Sequence, residues 1–177
     1  MILSDLNIQA AIERVKKNKG AAGIDKMTVK ELDEYFTKNG SRINSEILSK
    51  KYKPQPVRRT YIPKPNGKQR PLGIPTVSDR VLQQAVAQQL QIIYEPVFSD
   101  YSHGFRPNRS CHTAMEKALE YLNEGYEWIV DIDIEKYFDT VNHDKLISIL
   151  REQVKEAETL HLIRSFLQAG VMENGLE

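Results

Sequence analysis

The chain has 177 residues, 40% of them apolar and 28% charged, with 25 Lys and Arg against 24 Asp and Glu and a formal net charge of +1. That is the balance of an ordinary globular chain, long enough for one sizeable core or two small lobes. No apolar run reaches the roughly 20 residues of a membrane helix, MILSDLNIQAAIERV lacks the order of a signal peptide, and the single cysteine, Cys111, excludes an internal disulfide or a cysteine-based zinc site.

His103, His112, His143 and His161 show no ligand spacing and read as ordinary residues. An intracellular protein is expected. The small net charge hides a split: residues 1–110 carry 19 basic and 10 acidic side chains, whereas residues 111–177 carry 6 and 14. The basic half therefore suits a polyanionic partner.

Taken in chain order, Ile8, Ala11, Ile12 and Val15 lie at helical spacing, and Gly20 is placed to end that helix. Lys16, Lys17 and Lys19 crowd its last turn, where the helix dipole suits them without any nucleic acid. NKGAAGID reads as a loop, and TVKELDEYFTKN as a second helix. From Ile47 to Ser78 there are eight basic residues (Lys50, Lys51, Lys53, Arg58, Arg59, Lys64, Lys68, Arg70) and no acidic one. A solvated loop could carry that charge, but the lack of interspersed acids favours phosphate binding.

Within this segment, Val57, Arg59 and Tyr61 alternate with Arg58, Thr60 and Ile62, and Asn66-Gly67 is a strong hairpin turn signal. Pro63, Pro65 and Pro71 bar the ribbon from a sheet centre, so the pattern predicts a projecting two-stranded arm with basic side chains near its tip. A helix over 77–94 follows, through Leu82, Ala85, Val86, Leu90 and Ile93. DYSHGFRPNRS is a loop with Arg106 and Arg109 flanking Pro107. Met115, Ala118, Leu119 and Leu122 form a helical face that Gly125 stops.

WIVDIDI alternates as a strand, with Trp128, Val130, Ile132 and Ile134 on one face and Asp131 and Asp133 on the other. Two carboxylates so placed suit either a solvated face or a divalent cation, since magnesium takes hard oxygen ligands and often only one or two carboxylates. Asn142 is an N-cap for a helix through Leu146, Ile149 and Leu150. A last helix carries Leu160, Ile163 and Leu167.

The succession IPKPNGKQRPLGIPTVSDRVLQQAV, SHGFRPNRS and WIVDIDIEKYFDTVNHDKL resembles the bacterial group II intron-encoded reverse transcriptases, or intron maturases, along essentially the whole chain. The resemblance implies a helix-rich α+β fold: the fingers and a partial palm of a right-hand polymerase, with a basic β-hairpin. Residues 1–125 would be the N-terminal extension plus fingers, and 126–177 the beginning of the palm.

Matched residue by residue, Asp133 is the first catalytic aspartate, heading the pattern D-x-x-x-x-[FY] that ends at Phe138. Ile134 lends a backbone carbonyl to a metal, and Phe138 lies under the incoming sugar. Lys64 and Arg70 grip the nucleotide triphosphate. Asp131 has no assigned role. RNA contacts are expected at Lys16, Lys17, Lys19, Lys50, Lys51, Lys53, Arg58, Arg59, Arg106 and Arg109. The implied cofactor is Mg²⁺ in a two-metal site. The implied partners are group II intron RNA, an RNA template, a DNA primer and dNTPs, with no membrane, in a bacterial cytoplasm.

No Asp-Asp pair occurs in the chain, so the second catalytic motif of the family is missing. The chain is therefore read as an N-terminal fragment that does not polymerise by itself and that self-associates through uncovered palm surface. The competing reading is a non-catalytic RNA-binding module for structured intron RNA. A retron, diversity-generating or CRISPR-associated reverse transcriptase is a further alternative within the superfamily.

Overall fold

A computed structural model describes residues 2–65 and 67–173. The fold is helix-rich α+β, and two compact units divide the chain: residues 1–90 with 142–177, and residues 91–141.

The first unit opens with α1 (Asp5–Asn18), which buries Ala11, Ile12 and Val15 as its spacing dictates. It closes on Lys19, whose left-handed backbone (φ 48°) places the turn one residue before Gly20. Thr28 and Glu31 form a capping box, with the Thr28 N–H donating to Glu31 at 2.8 Å, ahead of a short 3₁₀ turn and α2 (Leu32–Leu48). α2 is longer than its sequence pattern suggested, because Ile43 and Ile47 continue its buried stripe.

Its end is a Schellman motif: Lys51 N–H donates to Glu46 O at 2.7 Å and Lys50 N–H to Ile47 O at 3.0 Å. The left-handed position is held by Lys50 (φ 59°) where glycine is usual. α3 (Val77–Tyr94) supplies the centre of the core with Val77, Val81, Leu82, Ala85 and Val86. α6 (His143–Gln153) is capped by Asn142, which accepts from Lys145 N–H at 2.9 Å. It buries Ile147 while Ile149 stays exposed, a rotation of the expected face. α7 (Ala157–Leu167) buries Leu160 and Leu162.

β1 (Val57–Pro63) and β2 (Gln69–Ile74) form the expected antiparallel ribbon, in register from Arg58 opposite Ile74 to Pro63 opposite Gln69. The turn has three loop residues rather than two. Lys64 N–H donates to Lys68 O at 2.7 Å and Gly67 N–H to Lys64 O at 3.0 Å, with Gly67 at φ 75°. That pattern follows from Pro65, whose fixed φ suits the first corner of such a loop. Asn66, half of the expected turn signal, lies outside the described residues. At its base β1 also pairs in parallel with β3 (Val171–Met172), giving the order β2-β1-β3. The prolines lie beyond this pairing, where no ladder bond is lost.

Two buried polar residues tie these parts together. Asn7 donates to Ile2 O at 2.8 Å and Ala85 O at 3.0 Å, joining α1 to α3. Asp79 is 1% exposed. Its carboxylate accepts from the Tyr52 hydroxyl at 2.8 Å, the Gln55 N–H at 3.1 Å and the Thr76 hydroxyl at 2.8 Å. Burial pushes its pKa up against the opposing pull of those donors. The same burial, with the Asp79 charge beside it, raises the Tyr52 phenol.

The second unit contains α4 (Cys111–Asn123), capped by Ser110 and ended at Gly125 (φ 96°), and the single turn α5 (Tyr137–Thr140). The expected strand over 128–134 does not form. These residues are irregular, and Trp128 (94%), Val130 and Ile132 are solvent-exposed. A strand needs a neighbour to complete its ladder, and among the described residues no strand lies beside this one. The apolar face of α4, with Met115, Leu119 and Leu122, is likewise exposed rather than buried.

Asp79→Ala is expected to cost about 2–3 kcal/mol in urea unfolding, because the Tyr52, Gln55 and Thr76 donors lose their acceptor. The folded state holds the Asp79 proton more tightly than the unfolded chain. The stabilisation linked to that proton is therefore present below the ordinary carboxylate value of 3.8 and is lost as pH rises through the raised one, while the hydrogen bonds persist. Asp79→Asn should flatten that fall.

Candidate nucleic-acid interface

The ribbon becomes more exposed toward its tip: Val57 to Thr60 are half-buried, whereas Tyr61 to Pro63 and Gln69 to Pro71 are exposed. The register places Ile62 opposite Arg70 and Pro63 opposite Gln69. Lys64 and Arg70 therefore share one face of the ribbon, since side chains of like parity across an antiparallel pair point the same way. Both are exposed. Arg59 lies on the opposite face with Tyr61, whose hydroxyl donates to the Glu173 carboxylate.

Arg58 and Arg80 are engaged within the chain. Arg58 donates to Ala22 O from Nε at 3.2 Å and Nη2 at 2.9 Å, and Arg80 donates to Ala21 O at 2.7 Å. Together they fasten the GAAG loop to the ribbon and α3. A Cβ on Gly23 would meet Thr76 backbone atoms at 2.6–2.7 Å, so that contact requires glycine.

In the second unit the Arg106 side chain is 6% exposed and pairs with Glu95 at 2.8 Å. It also donates to Ser99 O at 2.6 Å and Ser102 O at 3.0 Å, with its guanidinium 5.4 Å from the Phe98 ring centre. Arg109 pairs with Asp100 at 3.0 Å. Lys16 pairs with Asp33 at 2.6 Å. Lys17, Lys19, Lys50, Lys51 and Lys53 have no carboxylate partner among the described residues. Of the residues expected to bind RNA or nucleotide, these five lysines and Arg59 and Arg70 have no carboxylate partner among the described residues, while Arg58, Arg106 and Arg109 hold loops.

Asp131, Asp133 and Ile134 lie on the irregular exposed segment of the second unit. Phe138, 87% exposed, stacks edge-on against Tyr137 at 5.4 Å. Among the described residues no three His, Cys, Asp or Glu side chains gather as metal ligands. Asp133 and a carbonyl are hard-oxygen ligands, but by themselves they do not make a complete two-metal centre.

Sequence reading missed His161, Ser165 and Gln168, which line a groove opposite Lys50, Lys51 and Lys53. Their spacing on α7 was the available signal. Only the folded chain sets them beside the lysines.

Residues 62–177 match the family model for reverse transcriptase (RNA-dependent DNA polymerase). The chain is 44% identical over 167 residues to the group II intron-encoded protein LtrA of Lactococcus lactis, covering 93% of this chain and 27% of that protein. It is 40% identical over 138 residues to the protein YkfC of Escherichia coli, covering 76% of this chain and 36% of that one. Nuclear intron maturase 1, mitochondrial, of Arabidopsis thaliana is 34% identical over 94 residues, covering 53% and 13%. The chain thus spans about a quarter to a third of the first two relatives.

Arg106→Ala is expected to destabilise the chain by about 2–3 kcal/mol, since it leaves Glu95 and two carbonyls without their donor. Lys64→Ala and Arg70→Ala should stay within about 0.5 kcal/mol of wild type. Chemical denaturation distinguishes the two groups.

Proposed function

The chain belongs to the reverse transcriptase (RNA-dependent DNA polymerase) family, and from that premise we propose that it forms the fingers and the beginning of the palm of a group II intron-encoded enzyme. That enzyme copies intron RNA into DNA during retrohoming and assists intron splicing. The observation that carries this reading is 44% identity to an intron-encoded protein along 93% of the chain.

The residues divide the work by position. Lys64 and Arg70, on one face of the projecting ribbon, neutralise the triphosphate of an incoming dNTP, Arg70 with the bidentate fork that a guanidinium presents to phosphate. Phe138 packs under the sugar and disfavours a 2′-hydroxyl. Asp133 and the Ile134 carbonyl contribute oxygen ligands to a magnesium centre whose remaining ligands come from elsewhere. Magnesium is the metal the family uses in general, and it would supply charge stabilisation at the reacting phosphate. Lys17 and Lys19, with Arg59, give the RNA template and intron RNA a basic surface.

A second reading is favoured by the unpaired lysines and by the maturase among the relatives: a module that binds structured intron RNA without catalysis. Primer extension on an RNA template, with a DNA primer, dNTPs and magnesium, separates the two. It uses the protein carried at the full length of its intron-encoded relatives. Asp133→Asn should abolish synthesis and leave RNA binding unchanged. Synthesis that survives Asp133→Asn removes Asp133 from the site. A folded, RNA-binding protein without synthesis favours the second reading.

The exposed apolar residues of the second unit lead to a separate expectation for the 177-residue chain. A face of this kind associates in water. Light scattering should show a mass that grows with concentration, and Trp128→Ser with Ile132→Ser should reduce that growth.

A further inference from the structure

A groove of about 710 Å³ runs along the first unit between the end of α2 and α7. One wall carries Lys50, Lys51 and Lys53. The other carries His161 and Ser165, one turn apart on α7, and Gln168, the residue that caps its end. No carboxylate lines it. All three lysines are exposed, and none has an ion-pair partner among the described residues.

The walls are fixed by bonds already described. The Schellman turn, with Lys50 at φ 59°, redirects the chain at the end of α2. Asp79 then draws the Tyr52 hydroxyl and the Gln55 N–H inward, which leaves the neighbouring lysines outside. Opposite, the Val57 N–H donates to Gly170 O at 2.9 Å, and Val57 pairs with Val171, so both walls hang from one ladder.

We infer that this groove seats the phosphodiester backbone of an RNA strand. The lysines neutralise phosphates on one side. On the other, the Gln168 amide and the His161 ring offer hydrogen bonds. The Ser165 hydroxyl donates to His161 O at 2.9 Å within the helix, which leaves its oxygen as an acceptor for a ribose 2′-hydroxyl. The inference rests on the reading of the chain as RNA-binding, and it adds to that reading a second wall contributed by α7. Charge complementarity supports it: three unpaired cations around a concave surface without an acid concentrate positive potential there.

The test is fluorescence anisotropy of labelled oligouridylate with the 177-residue chain across a salt series. Lys51→Ala with Lys53→Ala should weaken binding roughly ten- to thirtyfold near 0.1 M salt and make the log–log salt slope shallower by about 1.4, at about 0.7 per phosphate. His161→Glu, a change on the opposite wall, should also weaken binding. Lys50→Gly should raise the melting temperature, since glycine takes a left-handed backbone without strain, while lowering affinity. That combination excludes misfolding as the cause.

Wild-type affinity in the lysine and His161 variants, with Lys64→Ala and Arg70→Ala weakened, overturns the groove and leaves RNA binding by the ribbon standing. A loss in the lysine variant without one in His161→Glu also overturns it, in favour of a diffuse basic surface. A wild-type chain that binds no RNA at low salt overturns the groove and the RNA-binding reading together.

Discussion

The carboxylate of Asp79 fixes the geometry of the first unit. A buried carboxylate is unfavourable unless its lone pairs are filled. Here they are filled by the Tyr52 side chain, the Gln55 backbone and the Thr76 side chain, from both ends of the ribbon that links α2 to α3. The ribbon therefore leaves the helical core at a defined place. The lysines beside Tyr52 face outward because the tyrosine hydroxyl faces inward.

Arginine and lysine divide their labour along physical lines. A guanidinium has a rigid fork of donors and is weakly hydrated, so it can satisfy several carbonyls at once in a partly dry setting. Arg106 does this, gathering the Ser99 and Ser102 carbonyls, while Arg58 puts two donors on Ala22 O and Arg80 one on Ala21 O. Lysines hold water more strongly and remain outside. Counting basic residues overstates the charge available to a polyanion, and the arginines buried in loop clamps are the ones to subtract.

The second unit shows the limit of local pattern. Residues 128–134 alternate as a half-buried strand should, yet they are irregular and exposed. Alternation records what the segment suits. Pairing requires backbone groups that lie elsewhere in sequence. The α4 face has the same character: its spacing is helical and its helix forms, but a helix can satisfy its own backbone and a strand cannot.

The sequence by itself determined most of the helices, and through Asn142 and Gly125 two of their ends, because periodicity and capping act through neighbours a few residues apart. It also determined the ribbon and the family, whose motifs are long and ordered. Tertiary structure decided which cations are available, since Arg58 and Arg80 are spoken for by the Ala22 and Ala21 carbonyls of a loop far away in the chain. It decided that Ile147 rather than Ile149 faces the core. It set His161, Ser165 and Gln168 across from Lys50, Lys51 and Lys53, more than a hundred residues away in the chain. These outcomes depend on packing between distant segments, and no spacing rule along one segment carries that information.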